Sequence, residues 1–386
     1  MKATQYAGYM VTAFLMVTVS AGPVFGERQP VLKQINVPHS YYFREMYLPQ
    51  VSSGPQSPAW SPDGQSLVFT MQGSLWRQAL DSTTAIQLTA GPGYDHQPDW
   101  SPDGRSIVFA RYLDDAVELQ LLDLASGTVQ ALTDGGNVNV EPRWSPDGTR
   151  LAFVSTAGSG RFHVFTGTVS NGQLTSSALS DERRSQVERY YYSEYDHEIS
   201  PVWVPDANEL LLISNTEVPY GSGSIWRFSI DKSKDPVLVR QEETAWRARP
   251  DLAPDGRRIV YSSYLGRQWH QLWVTTLLGG AEPFPLTYGD YDANSARWSP
   301  DGKQIAYVVN EFGNTDLRIM HLPGGNTRDI EVQERRYLRP TGTLTLAVKD
   351  DGGKPVAYRA SVVGADGRSY APQSVWTHAD DNFDRA

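Results

Sequence analysis

Short apolar runs recur along the middle of the chain, and each one follows a polar turn. The first run of each unit occupies residues 66–69, 106–109, 151–154, 210–213, 259–261 and 305–308. A second run often carries a tryptophan, as at Trp76, and a third often ends in Leu-Thr, as at Leu88 and Thr89. Apolar runs of this length between turn residues are typical of β-strands. Each unit therefore predicts four short strands joined by turns.

The turn before each first run repeats the sequence Trp-Ser-Pro-Asp-Gly. Four copies are intact and two are weaker, and all six keep the aspartate. The motif residues are Trp60, Asp63 and Gly64; Trp100, Asp103 and Gly104; Trp144, Asp147 and Gly148; Trp203 and Asp206; Asp255 and Gly256; and Trp298, Asp301 and Gly302. Successive motif aspartates are 40, 44, 59, 49 and 46 residues apart, and a four-stranded propeller blade takes about 40 to 50 residues. The spacing predicts an all-β fold with a six-bladed β-propeller over residues 57–332.

The chemistry of the motif suits a tight turn. Proline presets the backbone at the first central position, aspartate is favoured at the second, and glycine closes the turn. The tryptophan is expected to pack between blades. The motif therefore predicts how the protein is built and indicates little about what it does.

Composition and charge narrow the class of protein. Of the 386 residues, 40% are hydrophobic and 20% are charged, as in a soluble globular protein. The net charge of −10 argues against a nucleic-acid partner, because a nucleic-acid-binding protein needs a basic face. The sequence contains no cysteine, so it has neither disulfides nor a thiol nucleophile.

Sequence signatures of catalysis are missing. The chain has no G-x-S-x-G motif. His197 and Glu198 do not begin an H-E-x-x-H motif, because Pro201 stands where the second histidine would be. We therefore predict no catalytic residue, no metal site and no cofactor in this chain.

The first 26 residues resemble a secretion signal. Lys2 precedes an apolar run at residues 10–19, and residues 24–26 are small or apolar ahead of a possible cleavage point. The run is shorter than the roughly 20 residues that a spanning helix needs, so we expect a cleaved signal rather than an anchor, and no membrane span after its removal. Export predicts a periplasmic location. Residues 27–56 form a lead-in that either closes the ring of blades or lies over one face.

The long spacing after the third blade indicates an insertion at residues 181–198. It carries a cluster of tyrosines mixed with charges: Tyr190, Tyr191, Tyr192 and Tyr195. Insertions in repeat proteins form loops on one face, often the binding face. The cluster is therefore either a contact surface or a set of side chains packed on the blade edge.

Polar residues precede the innermost strand of most blades, where they are expected to gather at one mouth of the central channel. The set comprises Asp95, His96, Glu141, Asp196, His197, Glu198, Arg247, Arg249 and Asp292. Such a group could bind a cation or the charged end of a peptide. It could also be a solvated funnel in which the polar groups pair with each other and with water.

The repeat ends after Val332. Residues 333–340 are expected to be a linker, and residues 341–386 alternate like the first strands of a β-sandwich. A complete sandwich needs about 100 residues, so we expect this domain to be partial and the sequence to be a fragment of a longer protein.

The repeated P-x-W-S-P-D-G motif with its Leu-Thr flanks resembles the TolB-type propeller repeat. The resemblance covers roughly residues 57–332 and implies a periplasmic protein-interaction module. Residues 195–201, 263–273 and 337–342 are also similar to the front part of large exported bacterial proteins. In those, a propeller and a small β-domain precede a metal-dependent hydrolase domain of the PHP or amidohydrolase type.

Two functions follow from these resemblances. The first is a module that binds a periplasmic or envelope protein or peptide. The second is an accessory domain that controls access of substrate to a hydrolase. No catalytic residue carries over, since the His-x-His start of the hydrolase domain does not occur in this sequence. The oligomeric state is left open.

Overall fold

A computed structural model describes residues 54–370, except for residues 115, 181, 189–193, 220, 243–244, 246, 358–361 and 365–367. Its secondary structure is all β, and six sheets form the blades of a propeller, five of them with four strands and the first with a fifth strand added at its outer edge. The predicted fold class is confirmed for the propeller. The expected signal at residues 1–26 and most of the lead-in lie outside the described residues.

The strands follow one another through the blades in chain order. Blade 1 contains β1 (Gln56–Trp60), β2 (Ser66–Met71), β3 (Ser74–Ala79) and β4 (Thr84–Gln87); blade 2 contains β5 (Tyr94–Trp100), β6 (Ser106–Leu113), β7 (Ala116–Asp123) and β8 (Val129–Ala131); blade 3 contains β9 (Asn139–Trp144), β10 (Arg150–Ser155), β11 (His163–Ser170) and β12 (Gln173–Ala178). Blade 4 contains β13 (Glu198–Trp203), β14 (Glu209–Ser214), β15 (Ser224–Ser229) and β16 (Val237–Arg240); blade 5 contains β17 (Asp251–Leu252), β18 (Arg258–Ser263), β19 (Gln271–Thr276) and β20 (Phe284–Pro285); blade 6 contains β21 (Ala293–Trp298), β22 (Gln304–Val309), β23 (Asp316–His321) and β24 (Thr327–Ile330). Three short strands follow: β25 (Glu334–Arg336), β26 (Val362–Val363) and β27 (Ser369–Tyr370).

Every blade is an antiparallel meander whose first strand lies nearest the propeller axis. The second strand of each blade is almost wholly buried because both of its faces are covered by neighbouring blades, as the pattern of β14 shows. Apolar side chains from adjacent blades form the core. One large cluster runs through blades 2 to 5, and smaller ones join blade 5 to 6, blade 6 to 1 and blade 1 to 2.

The repeated motif forms the turn between the first two strands of a blade. In blade 2, the Ser101 hydroxyl donates to Asp103 Oδ1 at 2.6 Å, and the same oxygen accepts the backbone N–H of Arg105 at 3.0 Å. The five motif glycines have φ between 68° and 72°, a conformation that favours glycine. In blade 4, Ala207 stands at the glycine position and Asp206 takes the positive φ instead, at 57°. Blade 4 thus forms the same turn with an aspartate, rather than a glycine, in the left-handed region.

Blades 6 and 1 close the ring. The Trp60 Nε1 donates to the backbone carbonyl of Arg297 at 2.9 Å, and the Gln78 amide donates to the carbonyl of Glu331 at 2.8 Å. After blade 6 the chain crosses to blade 1, where β25 pairs in parallel with the outer strand β4. Whether the lead-in also takes part in closure falls outside the described residues.

The segment after the propeller is fastened to blade 1. The ring of Tyr337 packs edge-on against Trp76 with centroids 5.1 Å apart. The Arg368 guanidinium is buried and donates to the carbonyl of Gly93 and, at 2.9 Å, to the Ser74 hydroxyl. Among the described residues beyond 340, the only strand pairings are that of β26 with β27 and a single bridge between Lys349 and Pro355. The partial β-sandwich therefore stays a prediction.

One further property concerns membranes. Among the described residues we find no helix with the length and the apolar character that crossing a bilayer requires.

The turn geometry predicts the cost of replacing a motif glycine. A Cβ at Gly104 would lie 3.9 Å from Pro62, so space is available, but φ is 72°. We expect Gly104→Ala to lower the free energy of unfolding by about 1 to 2 kcal/mol, the cost of the left-handed conformation for an L-residue. Urea denaturation measures it. Gly342→Ala is the control, because that glycine has open space and no positive φ, and an equal loss there would contradict the prediction.

Candidate functional site

A left-handed residue interrupts the innermost strand of every blade at the same place. These six residues have φ between 37° and 54° and stand three positions before the motif Trp or Leu: Ser57, Gln97, Glu141, Ser200, Arg249 and Ser295. In five blades the register between the first two strands also shifts here, as in a β-bulge. A bulge re-aims side chains, and all six residues line one cavity on the axis.

The cavity on the axis is small. Its volume is about 60 Å³, which is room for a few water molecules. Glu141 and Arg249 supply its opposite charges, with Arg249 Nε 3.8 Å from Glu141 Oε1. Glu141 also accepts the backbone N–H of Ser200 at 2.6 Å. The cavity therefore offers a few fixed donors and acceptors set among the proline side chains of the same strands.

Four charged side chains cross the channel just below this cavity, at the position immediately before the motif Trp or Leu. Arg143 Nη1 lies 3.7 Å from Asp99 Oδ1 and 3.6 Å from Asp251 Oδ1. Arg297 contacts Asp99 and lies 3.6 Å from Asp251 Oδ1. We call Asp99, Arg143, Asp251 and Arg297 the charge ring. It comes from blades 2, 3, 5 and 6 and closes the channel at this depth.

The charge ring has an approximate two-fold repeat. Blades 1 and 4 place the small residues Ala59 and Val202 at the same position, so the order small, Asp, Arg occurs twice around the axis. The two aspartates make equivalent hydrogen bonds, since Asp99 accepts the N–H of Trp144 and Asp251 that of Trp298, both at 2.8 Å. None of these four residues is among those predicted from the sequence, although each directly precedes a motif Trp or Leu.

Burial dominates the electrostatics of the ring. It raises the pKa of Asp99 and of Asp251 to about 6, although the nearby Arg143 acts in the opposite direction. Burial thus disfavours the ionised form of both carboxyl groups, and the guanidinium groups of the ring offset part of that cost.

His96 lies close to the channel mouth and is 5% exposed. Its Nε2 has no hydrogen-bond partner among the described residues. Burial, and then the positive charge of Arg249, lowers the pKa of His96 to about 3. The corresponding positions in blades 3, 4 and 5 are the buried apolar residues Val140, Ile199 and Ala248. His96 is therefore a neutral histidine at a position that belongs to the core in blades 3 to 5.

The other six residues expected at the mouth do not gather there. Five of them have the following contacts: Asp95 with Arg111 at 2.6 Å; Asp196 with Arg183 at 2.9 Å; His197 Nε2 with the Ser222 carbonyl at 2.8 Å; Glu198 with Ser180; and Asp292 with the backbone N–H of His270 at 2.9 Å. The sixth, Arg247, is half-buried and lies outside the lining of the axial cavity. The expectation that all these residues share one space at the channel mouth is therefore corrected. Of the predicted set, Glu141 and Arg249 line the axial cavity, and His96 lies beside them. The side chains that face the axis are those at the bulge and those directly before the motif Trp or Leu. Side chains that precede the bulge face neighbouring strands and blades.

Of the four clustered tyrosines, the structure describes only Tyr195. Tyr190, Tyr191 and Tyr192 lie outside the described residues. The Tyr195 ring is covered by the guanidinium of Arg161, 3.9 Å from its centroid. Tyr195 thus packs on blade 3.

The described part of the chain holds no group of three or more His, Asp or Glu side chains placed to bind a metal ion. The lining of the channel cavity includes one carboxylate, that of Glu141, and the guanidinium groups of Arg143, Arg249 and Arg297. Its chemistry is that of hydrogen bonding and charge pairing.

Comparisons with known proteins agree with the fold. A family model described as the TolB beta propeller domain matches residues 42–280. The uncharacterized peptidase YuxL of Bacillus subtilis is 33% identical over 88 residues, which is 21% of this chain and 13% of that protein. Dipeptidyl-peptidase 5 of Porphyromonas endodontalis is 31% identical over 116 residues, 29% of this chain and 16% of that protein. This chain thus spans about a seventh of the length of each of these relatives.

Among solved structures, a crystal structure of the tricorn protease superposes with a TM-score of 0.53 at 16% identity, covering 74% of this chain and 26% of that one. At that identity the likeness concerns the fold alone.

The charge ring predicts a large effect from removing one arginine. We expect Arg143→Met to lower the free energy of unfolding by about 3 to 5 kcal/mol, because two buried carboxylates must then share the single guanidinium group of Arg297. Urea denaturation at pH 7 measures the loss. Arg105→Met is the matched control, since the Arg105 side chain is 83% exposed and its loss is expected to cost under about 0.5 kcal/mol. Equal losses in the two variants would contradict the ring.

The low pKa of His96 predicts a pH-dependent difference in stability. Below its ordinary pKa the unfolded histidine takes up a proton, whereas the folded one stays neutral, so stability is lost as the pH falls. Relative to His96→Leu, the wild-type protein is expected to lose about 2 kcal/mol between pH 7 and pH 5. The measurement is the unfolding free energy against pH, with the exposed His321→Leu as control. Parallel curves for wild type and His96→Leu would show that His96 is not held neutral.

Proposed function

Because the chain belongs to the TolB β-propeller family, we propose that it binds a segment of another protein at the mouth of its central channel. The observation that carries the proposal is the charge ring, which closes the channel beneath a polar cavity. A closed channel with fixed polar groups at its floor suits a ligand that enters from one side and stays.

A polypeptide is the partner whose chemistry fits this floor. Glu141 and Arg249 offer one acceptor and one donor group of opposite charge, and both are partly exposed. Serine hydroxyls and the Gln97 amide line the same cavity. A peptide terminus or loop carries both donors and acceptors, and peptides are recognised by such convergent polar groups.

The location of the partner follows from the secretion-like residues 1–26. We place the protein in the periplasm, with a periplasmic or envelope protein as its partner. The net charge of −10 favours partners with basic segments through long-range attraction.

The second candidate is an accessory domain that admits substrate to a hydrolase. The names of the two relatives, a peptidase and a dipeptidyl-peptidase, favour it. The metal-dependent hydrolase of the PHP or amidohydrolase type that we considered from the sequence is the narrower form of this alternative. Passage of substrate through the channel would require the charge ring to open, which makes binding at the mouth the better supported function.

Selection of peptides from a random display library tests the proposal. Peptides enriched on the wild-type protein are expected to bind Arg249→Gln at least about tenfold more weakly, because the substitution removes a charged hydrogen-bond donor. Fluorescence anisotropy of the labelled peptides gives the dissociation constants.

The control for this experiment is Arg105→Gln, an exposed arginine on a blade turn. Its affinity for the peptides is expected to match that of the wild type. Failure to enrich any peptide, or equal binding by Arg249→Gln with an unchanged melting temperature, would overturn binding at the channel mouth.

A further inference from the structure

A second polar cavity lies away from the channel, between blades 3 and 4. Its volume is about 410 Å³, within the range of small-molecule sites. One side is contributed by blade 3, the connection from blade 3 to blade 4, and the start of β13. The other side includes the loop that joins β15 to β16. The titratable side chains on these walls are His163, Glu182, Arg183, Asp196, Glu198, Lys232, Lys234 and Asp235.

His163 is the unusual member of this cavity. It is 5% exposed, and neither Nδ1 nor Nε2 has a hydrogen-bond partner among the residues that the structure describes. Burial lowers the pKa of His163, so the ring is neutral at pH 7 and presents one donor and one acceptor. A buried polar group without a partner is costly, and here it lines a cavity that a ligand can enter.

Glu198 is a buried carboxyl group on the same wall. It is 4% exposed, and it accepts hydrogen bonds from the Ser180 hydroxyl and, at 3.4 Å, from the backbone N–H of Val164. No ion pair to Glu198 is formed within the described residues. Burial raises the pKa of this carboxyl group, and its two hydrogen bonds and the charge of Arg183, beyond ion-pair distance, offset that effect only in part.

The other acidic groups near His163 already have partners. Asp196 is paired with Arg183 at 2.9 Å and accepts the Thr216 hydroxyl at 3.0 Å. Glu182 is paired with Arg161. The unsatisfied chemistry of the cavity is therefore concentrated in two groups, a carboxylate and a neutral imidazole.

We propose that this cavity binds the primary ammonium group of a small ligand, with Glu198 and the acceptor nitrogen of His163 receiving its N–H donors. An ammonium group has three donors and a positive charge. It supplies the cation that Glu198 lacks and a donor for the imidazole. A metal ion is a poorer fit, because the described residues contain no cluster of three suitable ligands.

The loop wall limits the ligand to a single positive charge. Lys232, Lys234 and Asp235 contribute to that wall, so that cationic groups outnumber acidic ones there, and Lys234 Nζ lies 2.8 Å from Glu209 Oε1. A second ammonium group on the ligand would meet these lysines and be repelled. The site is thus expected to prefer a monoamine to a diamine of similar length.

Titration of the full chain with three probes tests the site: n-butylammonium, the diammonium form of 1,4-diaminobutane, and tetramethylammonium. Isothermal titration calorimetry at pH 7 is expected to show saturable binding of n-butylammonium, weaker binding of the diamine, and none of tetramethylammonium, which has the charge but no N–H donor. Glu198→Gln and His163→Leu are each expected to weaken n-butylammonium binding about tenfold or more.

The control variant is Glu141→Gln, in the channel, which should leave n-butylammonium binding unchanged and so separates this site from the channel. Melting temperatures establish that the variants fold. Equal binding of tetramethylammonium would reduce the site to general charge attraction. Absence of saturable n-butylammonium binding would mean that the cavity is filled by water only. Either result overturns the proposal and leaves peptide binding at the channel mouth untouched.

Discussion

Six β-sheets that meet around one axis leave either an open lumen or a lumen filled by side chains. In this propeller the lumen is crossed by two aspartates and two arginines, each contacting both partners of opposite charge. Removing four charges from bulk water is expensive, and only close pairing offsets the cost. The ring therefore requires the six inner strands to hold a fixed register. The bulge in those strands supplies that register, because it turns the residue before the motif Trp or Leu to the axis.

The two-fold order of the ring also organises the packing around it. The Trp60 and Trp203 indoles, in blades 1 and 4, donate to the carbonyls of Arg297 and Arg143, so each small residue at the axis is accompanied by a tryptophan that bonds to the preceding blade. Blades 2 and 5 provide the acids, and blades 3 and 6 the bases. The order of residues at the axis therefore repeats every three blades, whereas the turn motif repeats in every blade.

The fold could be predicted from the sequence because its signal is local and repeated. A turn needs proline, aspartate and glycine within a few residues, and six copies at blade spacing leave few other architectures. The channel was harder to predict, because a bulge changes which of two neighbouring side chains faces the axis. Asp95 and Asp292 were expected at the mouth but pair with neighbouring strands. Asp99 and Arg143 were overlooked although they adjoin the motif. His163 could not be predicted at all, since its neighbours Glu182 and Glu198 are brought to it only by the packing of blade 3 against blade 4.

The channel and the cavity between blades 3 and 4 differ in how their buried charges are balanced. In the charge ring every carboxylate is close to two guanidinium groups, so the network is complete without a ligand and serves to close the lumen. Among the described residues, Glu198 is hydrogen-bonded but forms no ion pair, and neither ring nitrogen of His163 has a hydrogen-bond partner. Complete networks contribute rigidity, whereas incomplete ones destabilise the protein until something binds. A ligand that binds only the folded state recovers that loss as stability. This difference separates a structural ring from a binding site even though both consist of buried polar groups.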